Sequence, residues 1–204
     1  LFVAGVTDAA GTEAMAFGGM RVGEPGSEGP LHARAREYQA VYEAKHFWHG
    51  LSYSTMKPDD PDGDWQLATL GDTTFVSGQC TQAMAFRHSA EPTAESLDMI
   101  RAHLEGWRFF QRLTGVPGLV GRSFFKLTDP VEHGVEAEFD DAEKWIKGTG
   151  EFEGWIWRAD TSRDQVSGAV LGVATAFDVV DDEQVRANAR EFMTELVDHI
   201  WEND

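Results

Sequence analysis

Residues 71–92, GDTTFVSGQCTQAMAFRHSAEP, and residues 157–182, WRADTSRDQVSGAVLGVATAFDVVDD, carry one arrangement twice. Each contains Asp-Thr followed by Thr or Ser, at Asp72-Thr73-Thr74 and Asp160-Thr161-Ser162. Each then has Ser-Gly, at Ser77-Gly78 and Ser167-Gly168, and Ala-Phe, at Ala85-Phe86 and Ala176-Phe177, before an acidic turn. A strongly amphipathic stretch follows in both cases, so residues 72–113 and 160–201 read as two copies of one helical hairpin. The first helix of each copy is rich in small residues and apolar on more than one face, whereas the second has one apolar stripe. The first is therefore expected inside and the second outside.

Working outward, the second predicted helix starts near Asp72 and stops near Glu91-Pro92. Thr93 caps the third, whose stripe of Leu97, Ile100, Leu104, Trp107 and Phe110 is closed by Gly115 and Pro117. The fourth spans about 162–180, with Val166, Val170, Val173, Phe177 and Val180 on one side and Gly168, Gly172 and Ala176 on another. The fifth spans about 183–201, with Val185, Phe192, Leu196 and Ile200 as its stripe. Upstream, residues 33–50 (ARAREYQAVYEAKHFWHG) form the first predicted helix. Residues 57–63 (KPDDPDG) are a surface turn. Residues 115–159, dense in glycine and bulky aromatics, predict loops and short strands, with one helical turn at 140–146. Residues 1–32 predict an irregular lead-in, and 33–204 one helical-hairpin domain.

Composition bounds the function. The chain has 204 residues, 42% apolar and 25% charged, enough for a packed core and outside the disordered class. A net charge of −18 opposes binding to nucleic-acid phosphates or an anionic membrane surface. No stretch reaches the roughly 18 apolar residues of a membrane span. One cysteine, Cys80, permits neither an intrachain disulfide nor a thiolate zinc cluster, and inside a helix among apolar neighbours it reads as inert. Serine-hydrolase elbows, phosphate-binding loops and dinucleotide fingerprints have no matching motif. No cofactor is expected. The chain begins at Leu1 with no basic run before an apolar core, so a signal peptide is already removed or was never part of it.

The capped, layered hairpins resemble the α/α-toroid enzymes, which include six-hairpin glycosidases, unsaturated glucuronyl hydrolases, sugar epimerases and toroidal polysaccharide lyases. The resemblance covers about residues 33–204. It rests on residues 71–92, on LTGVPGLVGRSF at 113–124 and on residues 157–182, which are similar to patterns in bacterial proteins of this architecture. It implies a mainly α fold of layered helical hairpins, a toroid or partial toroid, with a Gly/aromatic-rich region that holds short strands. Five helices fall short of a full ring of twelve, so the resemblance implies a fragment of such a ring, a ring completed by other chains, or a partial arc only. The implied function is that of a carbohydrate-active enzyme, a glycoside hydrolase or polysaccharide lyase acting on a periplasmic or extracellular glycan in a central cleft. The alternative is a noncatalytic helical-repeat domain that binds a protein or small ligand on its concave face.

The segment Trp155–Gln165 is the densest candidate for chemistry. It joins indoles, guanidiniums and carboxylates at an inner helix start, which in a toroid faces the cavity. Pyranose rings need flat apolar platforms and charged donors and acceptors, so Trp157, Asp160, Arg163 and Gln165 are candidate sugar contacts. Asp72 and Asp164, at corresponding helix starts, are the candidate acid–base pair, which would divide its roles through different environments. The same residues also read as helix caps and dipole partners. Arg122, after a glycine-rich turn, could fork onto a sugar carboxylate or tie its loop to a neighbouring acid. His46 and His49, three apart on one helix face, are a candidate metal pair lacking a third ligand. Asp59, Asp60, Asp62 and Asp64 supply hard oxygens for calcium but lack the spacing of an EF-hand loop.

Overall fold

The computed structural model describes residues 4–7, 13–16, 30–56, 64–68, 70–132 and 134–203. Within the lead-in, β1 (Ala4–Thr7) pairs antiparallel with β2 (Glu13–Ala16), so this stretch holds a hairpin where an irregular segment was expected. Helix α1 (Pro30–Lys45) then ends five residues before the expected Gly50. It gives way to β3 (Phe47–Trp48) and β4 (Leu51–Ser52), joined by His49 and Gly50 at φ of 52° and 85°. Two successive left-handed residues make the two-residue turn that suits a twisted hairpin, and the aromatic pair before them favours strand over helix. Strands β5 (Thr55–Met56) and β6 (Gln66–Leu67) form a second small ladder. Asp59, Asp60 and Asp62 lie outside the described residues.

The two hairpins follow as expected. They consist of α2 (Thr73–Ala90) with α3 (Ala94–Thr114), and α4 (Arg163–Val179) with α5 (Glu183–Asn203). Thr93 caps α3 through a reciprocal box with Ser96, and Gly115 ends it in the left-handed conformation. Between α3 and α4 run β7 (Ser123–Lys126), β8 (Trp145–Lys147) and β9 (Trp155–Arg158), an antiparallel sheet in the order β7–β9–β8. The expected helical turn at 140–146 is instead a tight turn leading into β8, and short 3₁₀ turns fall at Val135–Glu138 and Gly150–Phe152.

The two hairpins stack side by side with like helices parallel. Phe75 and Gly78 of α2 meet Gln165, Gly168 and Gly172 of α4, and farther along Gln82 donates to Thr175 Oγ1 at 3.1 Å. In the second layer, Arg101 of α3 pairs with Asp182 just ahead of α5, and farther along Arg108 of α3 reaches Glu191 and Glu195 of α5. The α2–α4 approach is close enough that a methyl group on Gly78 would fall 1.8 Å from the Gly168 carbonyl oxygen. The buried side of α4 is therefore led by Gly168, Ala169, Gly172, Val173 and Ala176, while Val166, Val170 and Phe177 are only partly buried. Ile100, Leu104, Trp107 and Phe110 of α3 are completely buried, as the stripe requires. Among the described residues no helix is long and apolar enough to cross a membrane.

Candidate functional site

Helices α2 and α4 begin beside one another because Gln165, completely buried in the first turn of α4, reaches across to α2. Its side-chain oxygen accepts from the Phe75 amide at 2.9 Å and its amide donates to Asp72 Oδ1 at 3.1 Å. The Thr74 amide donates to the Arg122 carbonyl at 3.0 Å. The first turn of α2 is thus satisfied from the loop and from the neighbouring helix, and neither Asp72 nor Ser162 uses its side chain as a cap.

Above this junction lies a charged cluster. Arg122 donates through Nε to the Asp160 carbonyl at 2.5 Å, through Nη1 to the Gly71 carbonyl at 2.8 Å, and through Nη2 to Ser162 Oγ at 3.0 Å. Its guanidinium lies 3.7 Å from both Asp72 Oδ1 and Asp160 Oδ1. Arg158, at the end of β9, forks onto Asp160 at 2.7 and 2.9 Å. Ser162 donates to the Asp164 carboxylate. The Arg158 hydrogen bond holds Asp160 below the ordinary carboxylate range, and the Ser162 hydrogen bond does the same for the exposed Asp164. Asp72 is 69% exposed.

The structure therefore gathers Asp72, Arg122, Asp160, Asp164 and Gln165, and it gives several of them partners within the protein. Arg122 places a donor from each of its three nitrogens on protein oxygens, which ties the loop to both helix starts. Gln165 has both functional groups engaged in joining the hairpins. Trp157 is 3% exposed and packs in the three-stranded sheet beside the backbone of Gly121, which leaves almost none of its ring open as a platform. Arg163 is exposed and stands apart from these bonds. Two surface grooves lack Asp72, Arg122, Asp160 and Asp164, although Trp157 is among the residues that line the second.

Arg158 and Ser162 lie within the segment singled out in the sequence, but neither was named there as a substrate contact or catalytic group. Sequence reasoning also missed three hydroxyls. The side-chain oxygens of Thr73, Ser123 and Thr161 are buried and make no hydrogen bond among the described residues. Each directly follows a member of the cluster: Asp72, Arg122 and Asp160 respectively.

The histidine pair gains no third ligand among the described residues. Helix α1 stops at Lys45, so His46 and His49 do not share a helix face. His46 Nδ1 lies 3.1 Å from the Tyr53 carbonyl and 3.0 Å from Thr55 Oγ1, while His49 pairs with Asp129. No group of three potential metal ligands occurs among the described residues.

A second polar group, unforeseen in the sequence, lies inside the α2–α3 hairpin. His103 is completely buried, with Nε2 3.0 Å from the Tyr42 hydroxyl and Nδ1 3.0 Å from Thr81 Oγ1, and Trp107 donates to the same threonine at 3.0 Å. Tyr42 lies 2.5 Å from Ser52 Oγ. Burial pushes the His103 imidazole down to about 3 and raises the Tyr42 phenol and the Cys80 thiol. All three stay uncharged at neutral pH, so the group is a hydrogen-bonded core element and Cys80 is no thiolate nucleophile. Comparison with protein-family models, with curated proteins and with solved structures gave no match.

Proposed function

We propose that the two stacked hairpins are an arc of an α/α-toroid or partial toroid, and that the protein is carbohydrate-active, meeting its glycan where α2 and α4 begin. The single observation that carries this reading is the trio of unpartnered buried hydroxyls on Thr73, Ser123 and Thr161, each next in sequence to a member of the charged cluster. Buried polar atoms cost on the order of 1–3 kcal/mol when left unpaired, so hydroxyls without a protein partner mark a junction where water or a hydroxylated ligand would be stabilising. The parallel order of like helices supports the toroid, because successive hairpins of such a ring repeat the same direction. Asp164, held ionised by Ser162, suits a base or nucleophile, with Asp72 as the opposing carboxyl. Arg122, Arg158, Asp160 and Gln165 fix these two acids in place.

The second reading, a noncatalytic helical-repeat domain, is favoured by a different observation: Arg122 and Gln165 are consumed by internal bonds, and the cluster lies outside both surface grooves. The two separate by turnover. With a glycan that the protein cleaves, Asp164→Asn and Asp72→Asn are each expected to lower kcat by about a hundredfold or more, with the fold intact by circular dichroism. Unchanged turnover in both variants removes the catalytic assignment. Glycan binding without turnover by the parent protein establishes the noncatalytic reading.

A further inference from the structure

The groove between α3 and α5, of about 800 Å³, shares no residue with the helix-start cluster. At its edge stands a built histidine. The His49-Gly50 turn is pressed onto α3 so tightly that a methyl on Gly50 would lie 2.5 Å from the Gly106 Cα, which fixes where His49 sits. His49 Nε2 lies 2.7 Å from Asp129 Oδ2, and that same oxygen accepts from the Lys126 amide at 2.8 Å. An ionised carboxylate only accepts, so Nε2 donates to Asp129, and Nδ1 makes no hydrogen bond among the described residues. The imidazole also meets the Trp155 ring edge-on at 4.8 Å, and Trp155 in turn lies 4.6 Å from Phe109.

The rest of the groove is polar and balanced in charge. The guanidiniums of Arg108 and Arg112 and the carboxylates of Glu105 and Glu191 line it, together with the amides of Gln184 and Asn188. Arg108 is held by Glu191 at 2.5 Å and by Glu195 at 2.8 Å, whereas the exposed Arg112 makes no side-chain bond among the described residues. Neither sign of charge prevails, so the lining selects against a simple ion. Aromatic carbon next to alternating donors and acceptors matches a ring with an apolar face and hydroxyl edges.

We infer that this groove is a binding site for a neutral, hydroxyl-bearing ring, of the chemistry of a sugar residue. The ring packs against the edge of the Trp155–Phe109 wall, shares a hydrogen bond between a hydroxyl and His49 Nδ1, and is held at its far edge by Arg112 and Asn188. The site stands whether or not the helix-start acids are catalytic.

The test titrates the full chain with cellobiose, xylobiose and N,N′-diacetylchitobiose, and separately with glucuronate, following the Trp155 indole and His49 ring signals by NMR. At least one neutral disaccharide is expected to shift both signals with millimolar affinity. His49→Asn and Arg112→Ala should each weaken that binding about fivefold or more, and Asp72→Asn should leave it unchanged. Arg112 is exposed, so its variant keeps the test valid if the His49 variant is unstable. The inference is overturned if no neutral disaccharide moves these signals up to roughly 50 mM, if the shifts survive unchanged in the His49 and Arg112 variants, or if glucuronate alone binds.

Discussion

His103 shows how a single residue sets the pH response of this core. Its folded pKa lies at about 3, below the roughly 6.5 of the unfolded chain, because burial disfavours the cation. The unfolded state therefore binds more protons between those values, and stability falls as pH drops through the unfolded pKa, by about 1.4 kcal/mol per pH unit. From about pH 6.5 to about pH 5 the loss is roughly 2 kcal/mol. The acids held low by hydrogen bonds, Asp160 to Arg158, Asp164 to Ser162 and Asp182 to Arg101, contribute in a different window. Their stabilisation is present above the ordinary carboxylate pKa near 4 and is lost only as pH falls below it. The upper window thus isolates the histidine. Urea unfolding of the parent protein should weaken over that range, and His103→Gln, though less stable at neutral pH, should show a much smaller change. Equal slopes for both proteins would place the titration elsewhere.

At the scale of elements, glycines decide how close two helices come. Exposed helical positions favour alanine over glycine by up to about 1 kcal/mol. Gly78 reverses that sign, since its new methyl would meet the Gly168 backbone at 1.8 Å, and backbone atoms cannot rotate away. Gly78→Ala should cost about 3 kcal/mol or more by urea denaturation, while Gly115→Ala, with open space but a φ of 72°, should cost only about 1–2 kcal/mol. Similar losses at the two sites would mean that α2 and α4 are farther apart than described here. The small-residue faces were visible in the sequence, and so were the limits of α2 to α5, because capping and period-3.6 signals agree there. The end of α1 was not. Its helix formers run on to Lys45, whereas the hairpin beyond depends on His49 taking a left-handed conformation and on Gly50 meeting Gly106 from more than fifty positions along the chain.

For the whole molecule, the internal repeat made the pairing of hairpins legible, but the use of each side chain within the shared junction was not. Asp72 and Ser162 look like caps in sequence, yet the amides of the first turn of α2 are taken by Gln165 and the Arg122 carbonyl, contacts that exist only once the second hairpin has docked. The same assembly holds a net charge of −18. Exposed ion pairs such as Arg36–Glu91 and Arg186–Asp181 contribute at most about 1 kcal/mol each and weaken in salt. The uncompensated negative charges repel across the entire surface, at separations beyond the Debye length of about 10 Å at 0.1 M salt, so screening removes most of that repulsion. The second effect outweighs the first for so acidic a chain. Raising sodium chloride from about 10 mM to about 300 mM should therefore increase the Tm by several degrees, followed by circular dichroism at 222 nm. A decrease would mean that the bridges between layers, Arg101–Asp182 and Arg108–Glu195 above all, contribute more to stability than relief of the net charge does.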